Sequence, residues 1–168
     1  MNGFGGDVNG RFVSCVALPA MTSSVATARL HTRTLMEKWE VPAVVDDAEV
    51  VVSEILTNAI KATTSLPGDA GPPSDRPEHV CLCLFLDDGE LVVEVWDPRY
   101  ETPERRDVDL YDEGGRGLWL VESLSRDWGV RWPATGGKIV WARLPCPAPA
   151  PAADAAHDHP PTRLGAST

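Results

Sequence analysis

Residues 48–65, AEVVVSEILTNAIKATTS, decide how the chain is read. Ala48, Val51, Val52, Ile55, Ala59 and Ile60 recur at three- and four-residue steps, which gathers them on one broad apolar face of a helix. Asp46 and Asp47 stand just ahead, where carboxylates suit the positive end of a helix dipole. Glu54 and Asn58 lie four apart and so project from neighbouring turns, with Lys61 one turn on, away from the apolar stripe. A carboxylate, an amide oxygen and an ammonium placed this way can position a hydroxyl, hold Mg²⁺ through oxygen and neutralise phosphate. The same three residues also suit a plain solvated helix face.

Upstream of this helix, Arg11 to Leu18 (RFVSCVAL) is rich in strand formers and is stopped by Pro19. A first helix follows from Ser23 or Ser24, whose hydroxyls suit a cap. It carries Val25, Ala28, Leu35 and Trp39 at helical spacing and ends by Pro42. Downstream, SLPGDAGPPSDRPE over 65–78 reads as a mobile loop. HVCLCLFL and ELVVEVWD then form two strands joined through Asp87, Asp88 and Gly89, with Val80, Leu82, Leu84 and Leu86 on the core side.

A polar connection after Asp97 ends in glycines and runs into a helical stretch, GLWLVESLSRDW. GVRWP and KIVWARLP close the domain as two strands joined by Thr135, Gly136 and Gly137. The order is strand, helix, helix, two strands, helix, two strands. It predicts an α+β two-layer sandwich: a mixed, mostly antiparallel sheet with helices on one face.

Two further places can carry chemistry. Gly114, Gly115, Arg116 and Gly117 open the third helix, where glycines permit close backbone approach and free amides favour phosphate. An ordinary helix entry would look the same. Asp97, before Pro98, can accept from an exocyclic amine such as that of adenine, or can simply start an Asp-Pro turn.

Composition bounds the rest. At 168 residues and 43% hydrophobic content the chain builds one core: a flexible 1–10, a domain over 11–145, and a disordered Ala/Pro-rich tail over 146–168. The net charge of −10 argues against nucleic acid and anionic lipid. It suits a basic protein partner, or solubility alone. No stretch approaches the roughly 20 apolar residues of a membrane span. The opening MNGFGGDVNGRF lacks signal-peptide order, so the expected location is cytoplasmic. Cys15, Cys81, Cys83 and Cys146 are too scattered for zinc and read as buried or half-buried thiols. His157 and His159 in the tail are a weak metal signal.

Taken jointly, E-x-x-x-N-A on a helix, Asp-Pro after the third strand, G-R-G-L-x-L-V at a helix start and G-G-K-x-V-W-A-x-L on the last strand resemble the histidine-kinase-like ATPase superfamily. The likeness is greatest to its small anti-sigma-factor serine/threonine kinases. The resemblance covers about Arg11 to Pro145 and implies an ATP-binding fold with ATP and Mg²⁺ as cofactors. By resemblance Glu54 is the general base and Asn58 the Mg²⁺ ligand. Asp97 reads adenine, Gly115, Arg116, Gly117 and Leu118 form the phosphate loop, and Lys61 lies beside the phosphates. The implied partners are a sigma factor and an antagonist protein, and the family favours a homodimer. A non-catalytic protein-binding module is the alternative.

Three positions depart from the family pattern. Arg99 stands where histidine kinases have glycine, Ala62 where many relatives have an aromatic residue or His, and Ile139 where relatives often carry Thr supporting the base-binding Asp. Each predicts weaker adenine binding, Ile139 most of all.

Overall fold

The computed structural model describes residues 4–8, 11–64, 78–99 and 116–146. Strands β1 (Phe4–Val8), β2 (Arg11–Pro19), β3 (His79–Asp87), β4 (Glu90–Asp97), β5 (Asp127–Arg131) and β6 (Lys138–Pro145) form one six-stranded sheet in the order β1-β2-β3-β4-β6-β5. Every neighbouring pair is antiparallel. Helices α1 (Ser23–Lys38), α2 (Val45–Thr64) and α3 (Arg116–Leu124) pack on one face, with a short 3₁₀ turn at Pro42–Val44. This is the expected α+β sandwich.

The core lies where the periodicities meet. All six apolar positions of the α2 stripe are buried, against Val80, Leu82 and Leu84 of β3 and Leu91, Val93 and Val95 of β4. Asp88 and Gly89 both take positive φ, 49° and 77°, and turn β3 into β4 within two residues. That turn matches the right-handed twist of the paired strands.

Helix α1 ends in a reciprocal carbonyl-capping arrangement. Glu40 takes φ 58°, the Val41 amide donates to Met36 O at 3.0 Å, and the Glu40 amide donates to Glu37 O at 3.2 Å. Trp39, just inside this cap, is buried in the core with its ring 5.8 Å from that of Phe12.

Polar groups join the layers. Arg33 binds Glu49 through two nitrogens, at 2.7 and 3.0 Å, and Arg29 adds a third contact at 3.3 Å, so α1 and α2 share a buried carboxylate. His31 of α1 meets the Ser14 hydroxyl of β2 at 3.0 Å, and burial lowers its pKa.

Several local expectations are corrected. The expected serine cap of α1 does not form: Thr22 holds the cap position without a side-chain bond, and the Ser24 hydroxyl donates to Pro19 O at 2.7 Å. Phe4–Val8, expected as a flexible lead, pairs with β2 as an edge strand, because ladder bonds need only backbone. α3 stops at Leu124, short of the expected Trp128. The reason is tertiary: the Arg126 amide bonds Arg143 O at 2.8 Å and Asp127 begins pairing with β6, so the sheet takes these residues from the helix.

The cysteines also differ. Cys15 and Cys83 face each other across β2 and β3 and form a disulfide, where free thiols were expected, because the strand register sets their Cα atoms 4.1 Å apart. Cys81 is half-buried and Cys146 buried, as expected. The 65–77 part of the loop, the tail from 147 and its histidines lie outside the described residues. Among the described residues no helix is long and apolar enough to cross a membrane.

Candidate functional site

The α2 stripe turns its apolar face to the sheet and leaves Glu54 and Asn58 half-buried and Lys61 exposed on the other side. Glu54 is held against the first turn of α3. A Cβ added to Gly117 would overlap Glu54 Oε2 and lie 3.4 Å from its Cδ. Glycine at 117 is therefore what lets a carboxylate of α2 rest on the backbone where free amides of α3 begin. Leu118, next along, is buried, so its side chain anchors the helix and its backbone is the part that can meet a ligand. Arg116 is the first residue of α3. Gly114 and Gly115 lie outside the described residues.

A second cluster forms where β4 ends. Asp97 is fully buried, and its Oδ1 accepts from Lys138 Nζ at 3.0 Å and from the Arg99 amide at 3.0 Å. Its Oδ2 is buried without a partner. Burial pushes the Asp97 carboxyl above its ordinary range, against the opposing pull of Lys138 and then of the Arg99 amide. An orphaned buried acceptor is uncommon, and a ligand donor is one way to satisfy it.

The backbone around Asp97 is equally constrained. Gly137 takes φ 75°, and a Cβ there would overlap Asp97 O and lie 2.7 Å from Trp96 Nε1. Trp96 Nε1 in turn donates to Gly136 O at 2.9 Å, fastening the β5–β6 turn onto the end of β4.

Arg99 ties the end of β4 to the end of α2. Its guanidinium donates to Thr63 O at 2.9 Å and reaches Glu78 at 3.5 Å. A last-turn carbonyl of α2, which has no partner within its own helix, is thereby satisfied. α2 thus joins both clusters: Glu54 meets α3 at mid-helix, and Thr63, nine residues on and about 13 Å along the axis, meets the Asp97 loop.

One sequence expectation is overturned. Ile139 pairs with Trp96 and Arg131, and strand alternation turns its side chain to the sheet face away from the helices. No hydroxyl at 139 could support Asp97. The residue opposite Asp97 is Lys138, which shares the inward face with Val140, Ala142 and Leu144. Its signal was present in KIVWARLP: alternation that buries Val140 and Ala142 also buries the lysine two and four residues before them.

The residues at hand suit a nucleotide. Asp97 offers one unspent acceptor to a base, and the Gly117 turn offers amides to phosphate. The Asn58 side chain offers an amide oxygen, a donor type that suits Mg²⁺. No curated protein matches the chain. The family model described as the histidine kinase-like ATPase domain matches residues 18–144, from the end of β2 through β6. With an antiparallel sheet, helices on one face and both clusters inside that span, the chain belongs to the histidine kinase-like ATPase domain family.

Proposed function

We propose that the chain is an ATP-dependent serine/threonine protein kinase of the anti-sigma-factor type, which sequesters a sigma factor and phosphorylates an antagonist protein that frees it. The observation carrying this reading is the seating of Glu54 against Gly117, which puts a carboxylate beside the amides of a helix N-terminus. A general base and a phosphate-binding turn are what transfer to a hydroxyl requires.

In this reading Glu54 takes the proton of the antagonist's serine hydroxyl. The serine oxygen bonds to the γ-phosphorus as the bond from that phosphorus to the ADP oxygen breaks. The α3 amides stabilise the charge on the transferring oxygens. Asn58 would hold Mg²⁺, which supplies further charge neutralisation when bound, and Lys61 is placed one turn on for the same purpose. Asp97 orients the base through Oδ2.

Incubation with labelled ATP and a cognate antagonist tests the reading. Transfer to serine that disappears in Glu54→Ala supports it. Partner binding with no transfer supports a non-catalytic module, which is favoured by Ala62, a side chain too small to stack on a base.

A further inference from the structure

The buried pair where β4 ends and β6 begins has an unusual feature: acid and lysine stand side by side, and neither has used all its hydrogen-bonding capacity. Asp97 Oδ1 is occupied by Lys138 and the Arg99 amide, while Oδ2 is buried and free. Lys138 is only 3% exposed, and its bond to Asp97 uses one of three ammonium protons. The end of β4 and the start of β6 therefore set an acceptor, Oδ2, next to a cationic donor, Lys138 Nζ.

That pairing matches more than one purine edge. A 6-aminopurine offers its exocyclic N–H to Oδ2 and its ring N1 as acceptor to the lysine. A 6-oxopurine offers its ring N1–H to Oδ2 and its O6 to the lysine. Without the lysine either base could still donate to Oδ2, but O6 of the 6-oxopurine would be left beside a buried carboxylate with no donor, a larger loss than that of the ring N1 acceptor.

We propose that Lys138 is a specificity-determining residue of the nucleotide pocket, whose ammonium beside Asp97 admits 6-oxopurine nucleoside triphosphates as well as ATP. This rests on the nucleotide-site reading of Asp97 given above and extends it to the choice of base. Lys138 has a second role in the same place. As the counter-ion it opposes the burial that raises the Asp97 pKa.

Equilibrium binding of the magnesium salts of ATP, GTP and ITP to the full chain, wild type and Lys138→Met, tests the proposal. ITP carries O6 without the guanine 2-amino group and so isolates the contact. The expected result is wild-type affinity for GTP and ITP within about tenfold of that for ATP. In Lys138→Met the GTP and ITP affinities should fall at least about tenfold further than that for ATP, the size of a lost charge-assisted bond.

Wild-type protein that binds ATP but rejects GTP and ITP by more than about a hundredfold overturns the inference and leaves the nucleotide site standing. An unchanged ATP to ITP ratio in Lys138→Met overturns it likewise. Failure of the wild type to bind any of the three overturns the nucleotide reading itself. Should Lys138→Met not fold, the wild-type ATP to ITP ratio still decides.

Discussion

Lys138 Nζ donates to Asp97 Oδ1 at 3.0 Å, with both side chains withdrawn from solvent at the point where β4 and β6 run side by side. Removing one charge of such a pair leaves the other buried and uncompensated, at a cost of about 3 kcal/mol. Asp97→Asn is expected to lower the melting temperature by roughly 10 °C. The double variant Asp97→Asn/Lys138→Met removes both charges and should recover most of that loss without recovering ATP affinity. Thermal melts with and without Mg-ATP separate the two effects, and recovery of binding in the double variant would contradict the role given to Asp97.

Gly117→Ala places a methyl where Glu54 Oε2 now lies, and the obstructing atom is the far end of a flexible side chain. The fold should tolerate the change, with stability within about 1 kcal/mol of wild type, since alanine also favours the helix. Phosphotransfer should fall at least about tenfold because the carboxylate must move. A phosphotransfer assay alongside urea unfolding checks both. Unchanged transfer would dissociate Glu54 from the chemistry.

Gly137 and Gly89 both have positive φ, 75° and 77°, yet their surroundings differ. Gly89 faces open space, so Gly89→Ala should cost about 1 kcal/mol from backbone strain alone. Gly137→Ala drives a methyl into Asp97 O and the Trp96 indole as well, and should cost at least about 2 kcal/mol. Comparing urea midpoints of the two variants tests whether the turn at 137 is pinned to the end of β4.

Acid stability should depend on Glu49. The Arg33 hydrogen bond, and next to it that of Arg29, hold its carboxyl below the ordinary value of 4.5 despite burial. The folded chain therefore favours the ionised form more than the unfolded chain does. The resulting stabilisation is complete above pH 4.5 and is lost as pH falls through the depressed folded value. Melting temperature plotted from pH 6 down to about 3 should fall less steeply for Glu49→Gln than for wild type. Parallel curves would remove Glu49 from the account.

The Cys15–Cys83 bridge joins residues 68 positions apart, and the chain-entropy argument assigns such a loop about 4 kcal/mol of stabilisation. Reductant should lower stability by up to that amount while leaving the sheet intact, since β2 and β3 stay paired through seven registered positions from Val13 to Pro19. Denatured, unreduced protein should titrate as two thiols, Cys81 and Cys146. Four thiols would show the bridge to be absent.

Much of this was legible in the chain alone. The 3.6-residue stripe of α2, the alternation of β3 and the Asp-Gly turn each depend on neighbours close in sequence, so periodicity and backbone preference suffice to place them. Glu54, Asn58 and Asp97 could be named because the order of motifs along the chain resembles a known family. What they touch could not be named from sequence. The seating of Glu54 on Gly117, the capture of Thr63 O by Arg99 and the facing of Cys15 by Cys83 join residues 36 or more positions apart. Such contacts depend on strand register and helix docking.

Ile139 and Lys138 show the difference most sharply. They are adjacent in sequence, but a strand turns neighbouring side chains to opposite faces. Only the pairing of β6 with β4 decided that the lysine, and not the isoleucine, stands beside Asp97. The sequence by itself determined the elements, their order and the family to which they point. Tertiary structure decided which charges are buried together, because burial is a property of layers in contact and not of any one segment.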